Sequence, residues 1–299
     1  MARVLITGAD GFTGRYLAAA LAAQGDEVHG LVRAQAASLT VPGCAALHVC
    51  ELLDAAAVAE LTAALAPERV AHLAAVAFVG HGQVEDFYRV NIAGTRNLLA
   101  GLAALEAPPA AVLLASSANV YGNATEGVID ESTPLAPAND YAVSKLAMEY
   151  MAATWQDRLP ITVVRPFNYT GVGQSEKFLL PKIVGHVRRR APVLELGNLD
   201  VERDFSDVRT VVQVYRKLLV ANAAGRVLNV CSGRAYSLRG VIDMASAIGG
   251  HRPEIRVNAA FVRSNEVRRL LGSRQALESC IGRVEDRPLE DTLHWMLEA

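Results

Sequence analysis

Short apolar runs alternate with longer amphipathic stretches along the whole chain, and this alternation predicts repeated strand–helix units. Arg3–Thr7 is a β-branched run that stops at Gly8-Ala9-Asp10-Gly11-Phe12-Thr13-Gly14, after which residues 15–24 have the composition of a helix. Further strands are expected at 27–33, 47–50, 70–75, Ala111–Ala115, 161–165 and Val227–Val230, and helices at 54–65, 85–105, 141–155, 238–248 and 289–297. Apolar strands that each give way to a helix build a parallel sheet covered on both faces, so the fold class expected is α/β, doubly wound. Gly94 falls inside the longest of these helices. A glycine there costs ~1 kcal/mol relative to alanine, which points to a close neighbour.

Composition mostly excludes. The 299 residues are enough for one large unit or two lobes, and a net charge of -2 gives no basic footprint for nucleic acid or an anionic membrane. No apolar run approaches the ~18 residues of a membrane span, and the amino terminus lacks a signal-peptide layout, so no membrane partner and a cytoplasmic location are expected. Cys44, Cys50, Cys231 and Cys280 are scattered without metal-ligand spacing, which suggests reduced packing thiols and no metal site.

Chemistry enters with the glycine turn. Gly8, Gly11 and Gly14, with Phe12 among them, stand at the first strand-to-helix junction, where a turn without side chains lets a pyrophosphate approach the backbone and the helix N-terminus; a plain tight turn is the alternative. After the second strand a site for NAD normally carries a carboxylate, whereas this chain offers Arg33, which favours NADP(H) over NAD(H) unless Arg33 is simply a solvated strand end. Glu51 and Leu52 follow the third strand, beside the expected adenine. Leu73, Ala74 and Ala75 form a small-residue strand end that permits close approach, and His72 reads as sheet packing. Ser116-Ser117 leave the carboxyl end of their strand, where open α/β sheets bind ligands. Tyr141 and Lys145 lie four apart on one helix face; an adjacent ammonium favours the phenolate of a group that titrates near ~10, so the pair can move a proton, although such a pair also occurs on ordinary amphipathic surfaces.

The glycine turn, Ser116-Ser117 before Val120-Tyr121-Gly122, and Tyr141-x-x-x-Lys145 together resemble the extended short-chain dehydrogenase/reductases. Gly197-Asn198-Leu199-Asp200-Val201-Glu202-Arg203-Asp204-Phe205 and Arg263-Ser264-Asn265-Glu266-Val267 resemble their GDP-mannose branch. The resemblance implies a Rossmann-type sheet (residues 1–166 and 208–233) with a smaller C-terminal substrate lobe (167–207 and 234–299), entered through Arg165-Pro166-Phe167-Asn168. Dehydratases of the branch carry a Glu two residues before the Tyr of Val-Tyr-Gly; here that position is Asn119, which cannot take a proton from carbon. The resemblance therefore implies a 4-ketoreductase acting on a GDP-linked 4-keto-6-deoxyhexose and yielding GDP-D-rhamnose. Rival readings are a 4-epimerase with tightly bound NAD and an idle NADP-binding scaffold, which the intact Ser117, Tyr141 and Lys145 disfavour.

The same resemblance carries roles. Ser117 holds the substrate carbonyl, Tyr141 gives the proton, and Lys145 binds the nicotinamide ribose and lowers the Tyr141 pKa. Asn91 supports a proton relay or serves as a buried structural amide. Arg203 and Arg263 suit a diphosphate, since guanidinium forks match phosphate oxygens; Asn168 and Glu266 bond sugar or base. Arg188-Arg189-Arg190 reads as a solvated helix end. Surplus apolar surface on the helices at 85–105 and 141–155, including Tyr150, Met151 and Trp155, implies a homodimer unless it packs within the chain. Departures from the branch at Thr210, Ser264 and Cys280 bear on the sugar more than on the fold.

Overall fold

The computed structural model describes residues 1–33, 40–77, 83–123, 127–262 and 268–299. The chain opens with β1 (Arg3–Thr7), α1 (Phe12–Ala22), β2 (Glu27–Val32), β3 (Ala46–Val49), α2 (Ala55–Leu65) and β4 (Arg69–His72). A broken helix follows, made of α3 (Val84–Tyr88), a π-turn over Arg89–Gly94 and α4 (Thr95–Ala103), and it leads to β5 (Ala111–Ala115). Next come β6 (Val128–Ile129), α5 (Asp140–Ala153), β7 (Ile161–Pro166), β8 (Asn168–Thr170), α6 (Leu179–Arg188) and β9 (Val193–Leu196). The remainder runs β10 (Glu202–Asp207), α7 (Val208–Leu218), β11 (Val227–Val230), β12 (Ala235–Ser237), α8 (Leu238–Gly249), β13 (Glu254–Val257), β14 (Arg269–Gly272), α9 (Gln275–Ile281) and α10 (Leu289–Glu298).

Among the described residues, seven strands form a parallel sheet in the order β11-β7-β5-β4-β1-β2-β3. The order reverses between β1 and β4, and ligands of such Rossmann-type sheets bind in the crevice outside that switch point. Both faces are covered. Val4, Ile6, Leu17, Leu21, Val211 and Tyr215 pack between the sheet and α1 and α7, whereas Leu5, Val70, Leu98, Leu99, Val112 and Met148 pack on the side of α2, α4 and α5. Each such side chain contributes roughly 1.5–3 kcal/mol on burial, which fixes the strand ends that carry the site.

A second sheet, β12-β10-β14-β6 with β8 also pairing β10, is flanked by α6, α8 and α10 around Leu180, Ile183, Leu194, Leu238, Ile242 and Leu293. Two details cross between the parts. β6, from the stretch between Ser117 and Tyr141, pairs with β14, and Leu277 of α9 joins the core around α1 and α7.

Two elements differ from the sequence expectation. The helix expected to run unbroken over 85–105 widens into the π-turn, because its buried Asn91 must reach the main chain of Val76 and the Ser144 hydroxyl at once. Gly94 closes that turn against Leu52: a Cβ on Gly94 would lie 3.0 Å from the Leu52 Cβ. β4 ends at His72 rather than 75: the Leu73 N–H still donates to the Thr7 carbonyl at 3.2 Å, but Ala74 packs against Gly8 and its N–H donates to the Thr7 hydroxyl, 3.2 Å away.

Candidate active site

At the switch point the backbone makes a cradle. Gly8 has φ +69°, a left-handed conformation, and a Cβ there would sit 2.9 Å from the Ala74 Cα. One on Gly14 would collide with the Gly8 carbonyl and with Ala9. Gly11 caps α1 with no side chain across the helix end, and the first turn of α1 carries no acidic residue. The first N–H groups and the positive end of the helix dipole are therefore presented to an anion, and the fit to a dinucleotide pyrophosphate is good. Phe12 stacks on Tyr169 of β8 with centroids 6.1 Å apart, and the Thr13 hydroxyl meets the Tyr169 phenol at 2.8 Å, so the turn is tied to the second sheet. Arg33 and Glu51 are exposed at the neighbouring carboxyl ends of β2 and β3, whose ladder continues in the bond from Cys50 N–H to the Val32 carbonyl, 3.0 Å. Leu52 is buried beneath Gly94 instead of lining the surface.

The reactive groups converge one strand further on. Asn139 caps α5, accepting from the Ala142 N–H at 2.9 Å, and so starts the helix at Asp140 and sets the face on which Tyr141 and Lys145 lie. Ser117 leaves β5 in an extended conformation and its hydroxyl oxygen accepts from the Asn119 N–H at 3.2 Å. The Ser117 hydroxyl lies near enough to the Tyr141 phenol to lower its pKa. Ser117, Tyr141 and Lys145 are all buried, and Lys145 Nζ donates to the carbonyl of Ala115, 2.6 Å away, at the last residue of β5.

One electrostatic expectation is reversed. The ammonium was expected to draw the phenol down, yet burial pushes Tyr141 up to about 12, with the Ser117 hydroxyl opposing and the nearby Tyr169 adding to the rise. Lys145 is itself lowered to about 8 by burial, against the pull of Glu149. Desolvation is the largest cause at both groups. His72 behaves as sheet packing: it bridges the Thr7 and Thr95 hydroxyls at 2.7 and 2.8 Å, and burial, followed by the Lys145 charge, lowers it to about 3. The Asn91 amide is used in full by Val76 and Ser144, holding the segment after β4 against α5.

Beneath these groups lies a chain of buried polar side chains that sequence reasoning missed. The Ser116 hydroxyl donates to Glu149, which also accepts two bonds from Arg165 at 3.0 and 2.6 Å. Arg165 donates in turn to the Tyr121 phenol at 3.0 Å, and Tyr121 to Asn229 at 2.7 Å. Burial works against the Arg165 charge, but the bonds and charge of Glu149 more than offset it and hold the guanidinium above its ordinary range. Two signals were available: an arginine inside an otherwise apolar strand, and an acid spaced four and eight residues from Lys145 and Tyr141.

In the second lobe, Arg203 sits in β10 with its guanidinium bonded to the Glu202 carbonyl at 2.8 Å, and exposed Asn168 donates to the Asp204 carbonyl at 3.3 Å. Arg263 and Glu266 lie outside the described residues. Arg188 closes α6, and Arg189 pairs with Glu176 in solvent, as expected of a helix end. Tyr150 of α5 is 65 % exposed, whereas Met151 and Trp155 pack partly into the core on that side of the sheet. No helix among the described residues is long and apolar enough to cross a membrane.

Comparison with known proteins agrees with this geometry. The family model for GDP-mannose 4,6 dehydratase matches residues 5–294. The chain is 33 % identical over 281 residues to the GDP-6-deoxy-D-talose 4-dehydrogenase of Aggregatibacter actinomycetemcomitans, covering 94 % of this chain and 91 % of that protein. It is 34 % identical over 306 residues to the GDP-6-deoxy-D-mannose reductase of Pseudomonas aeruginosa, covering 99 % and 96 %. A structure of RMD from P. aeruginosa complexed with NADPH superposes with a TM-score of 0.86 at 32 % identity, over 100 % of this chain and 98 % of that one. A Burkholderia cenocepacia J2315 protein provisionally named an epimerase superposes with a TM-score of 0.94 at 52 % identity, over 99 % and 97 %.

Proposed function

Because the chain belongs to the GDP-mannose 4,6-dehydratase family of extended short-chain dehydrogenase/reductases, whose members act on sugar nucleotides with a nicotinamide cofactor, we propose that it is an NADPH-dependent 4-ketoreductase. The substrate is GDP-4-dehydro-6-deoxy-D-mannose and the product GDP-D-rhamnose. One observation carries the reading: Ser117, Tyr141 and Lys145 are buried together at the carboxyl end of β5, while the place of the dehydratase acid is taken by exposed Asn119.

Bound NADPH would supply the hydride. The Ser117 hydroxyl donates to the C4 ketone oxygen and holds it beside Tyr141. Burial keeps that phenol protonated at neutral pH, so it has a proton to give as negative charge grows on the oxygen. A donor pair fixed at that point stabilises the transition state more than the ketone. Lys145 binds the nicotinamide ribose, the Gly8–Gly14 turn the pyrophosphate, and Arg33 the 2'-phosphate. Arg203 and Arg263 take the substrate diphosphate, and Asn168 and Glu266 the sugar or base. In this division residues 1–166 and 208–233 hold the dinucleotide and 167–207 and 234–299 the sugar nucleotide; the enzyme works in the cytoplasm as a homodimer, with exposed Tyr150 on the face of α5 that a second copy would cover.

The test is to mix protein, NADPH and GDP-4-dehydro-6-deoxy-D-mannose and follow cofactor absorbance. Consumption is expected, with a product whose sugar-ring proton couplings match GDP-D-rhamnose. Couplings of the 6-deoxy-talose epimer would reassign the face attacked, and turnover only with a UDP- or dTDP-sugar would overturn the GDP assignment. The name given to the B. cenocepacia protein favours one other reading, a 4-epimerase; tightly bound NAD in the purified protein, with no net cofactor consumption, would select it.

A further inference from the structure

Tyr141, Lys145 and Glu149 occupy three successive turns of one face of α5, and all three are buried. The first two belong to the chemistry proposed above; the third has no part in it. A carboxylate taken out of water costs several kcal/mol unless it is paired and hydrogen-bonded. Glu149 meets that condition twice over, through two bonds from Arg165 of β7 and one from the Ser116 hydroxyl at the end of β5. Ser116 directly follows Ala115, whose carbonyl accepts from Lys145 Nζ at 2.6 Å. Lysine and glutamate are thus fastened to adjacent residues of one strand end.

We propose that Glu149 is a positioning residue for Lys145: clamped by Arg165 and Ser116, its carboxylate keeps the buried ammonium charged and aimed at the carboxyl end of β5. The inference rests on the ketoreductase reading only for the work Lys145 does there. Other charged or titratable groups face the pair from each packed element. His72 of β4 stays neutral, Arg165 of β7 is already matched to Glu149, Tyr121 donates away to Asn229, and Tyr141 keeps its proton. Of these groups Glu149 is the one whose charge raises Lys145, against a burial that alone lowers it.

Titration of the Lys145 ε-carbon by NMR in the intact protein tests this, using Glu149→Gln, which keeps the shape and drops the charge, and Glu149→Asp, which keeps the charge one methylene further back. Native Lys145 should titrate at about 8, the Gln variant about one unit lower or more, and the Asp variant in between. In the NADPH assay the alkaline limb of kcat should move by the same amount, with kcat at pH 7.5 down about threefold or more and the sugar KM little changed. An unmoved Lys145 midpoint in the folded Gln variant overturns the proposal; should that variant not fold, an unmoved midpoint in the Asp variant does so. The NMR readout needs no sugar. A shifted lysine in a protein that ignores GDP-sugars therefore upholds Glu149 and counts only against the substrate.

Discussion

The two halves of the sheet's carboxyl edge are built in opposite ways. Around β1 and β4 the site consists of side chains that are not there: Gly8, Gly14 and Ala74 leave room, and what remains to bind with is backbone and a helix end. Around β5, β7 and β11 it is crowded with polar side chains, Ser116, Tyr121, Glu149, Arg165 and Asn229, each satisfied by the next. The first half suits any pyrophosphate and works by access. The second works by fixing charge in a dry place, where an unpaired group is costly, and so can hold a phenol and an amine far from their ordinary titration.

That contrast can be broken at several points. The largest effect is expected from Tyr141→Phe, which removes the phenolic hydroxyl and keeps the ring: turnover should fall about 10²–10⁴-fold while NADPH affinity, measured by fluorescence, stays near native. Retained turnover would show that the crowded half is only structural. Arg165→Met leaves Glu149 buried without its partner and should cost about 3–5 kcal/mol in urea unfolding. Gly14→Ala should cost about 1–3 kcal/mol by overpacking and abolish NADPH binding; undiminished binding would mean the open half is not the cofactor cradle. Arg33→Ala should weaken NADPH about tenfold and leave NADH unchanged, because one charge-assisted contact is lost.

The smallest effect tests the seam between the halves, where His72 links Thr7 of β1 to Thr95 of α4. Its folded pKa is depressed to about 3 from 6.5, so between those values the unfolded chain binds a proton that the folded one refuses. Stability contributed at neutral pH is accordingly lost as pH falls from 6.5 towards 3, by about 1 kcal/mol in the first unit. His72→Asn should flatten that part of the urea-stability profile by up to one proton.

The open half was almost wholly legible in the sequence, because glycine spacing at a strand end states a backbone requirement directly. Strand positions were legible too, wherever a run such as Ala111–Ala115 was apolar throughout. The crowded half was legible only at Ser117, Tyr141 and Lys145, which share a spacing with a known family. Glu149 and Arg165 are 16 residues apart on a helix and a strand, and nothing local says that they meet. The rise of Tyr141 was misread for a related reason: proximity to Lys145 follows from helix spacing, whereas the depth at which both are buried comes from the whole packed sheet. The π-turn escaped for want of any composition signal, since Asn91 is as acceptable in an ordinary helix.

The strand β6 is only two residues long, yet it is borrowed: it leaves the polypeptide between Ser117 and Tyr141 and lies beside β14 in the other lobe. An engineer grafting a foreign carboxy-terminal half onto this Rossmann platform would sever that loan, stripping the transplanted sheet of its border while unsettling the segment that leads into Tyr141. Any such exchange in this scaffold must therefore be interleaved, with the loop carrying Val128 and Ile129 travelling together with the graft.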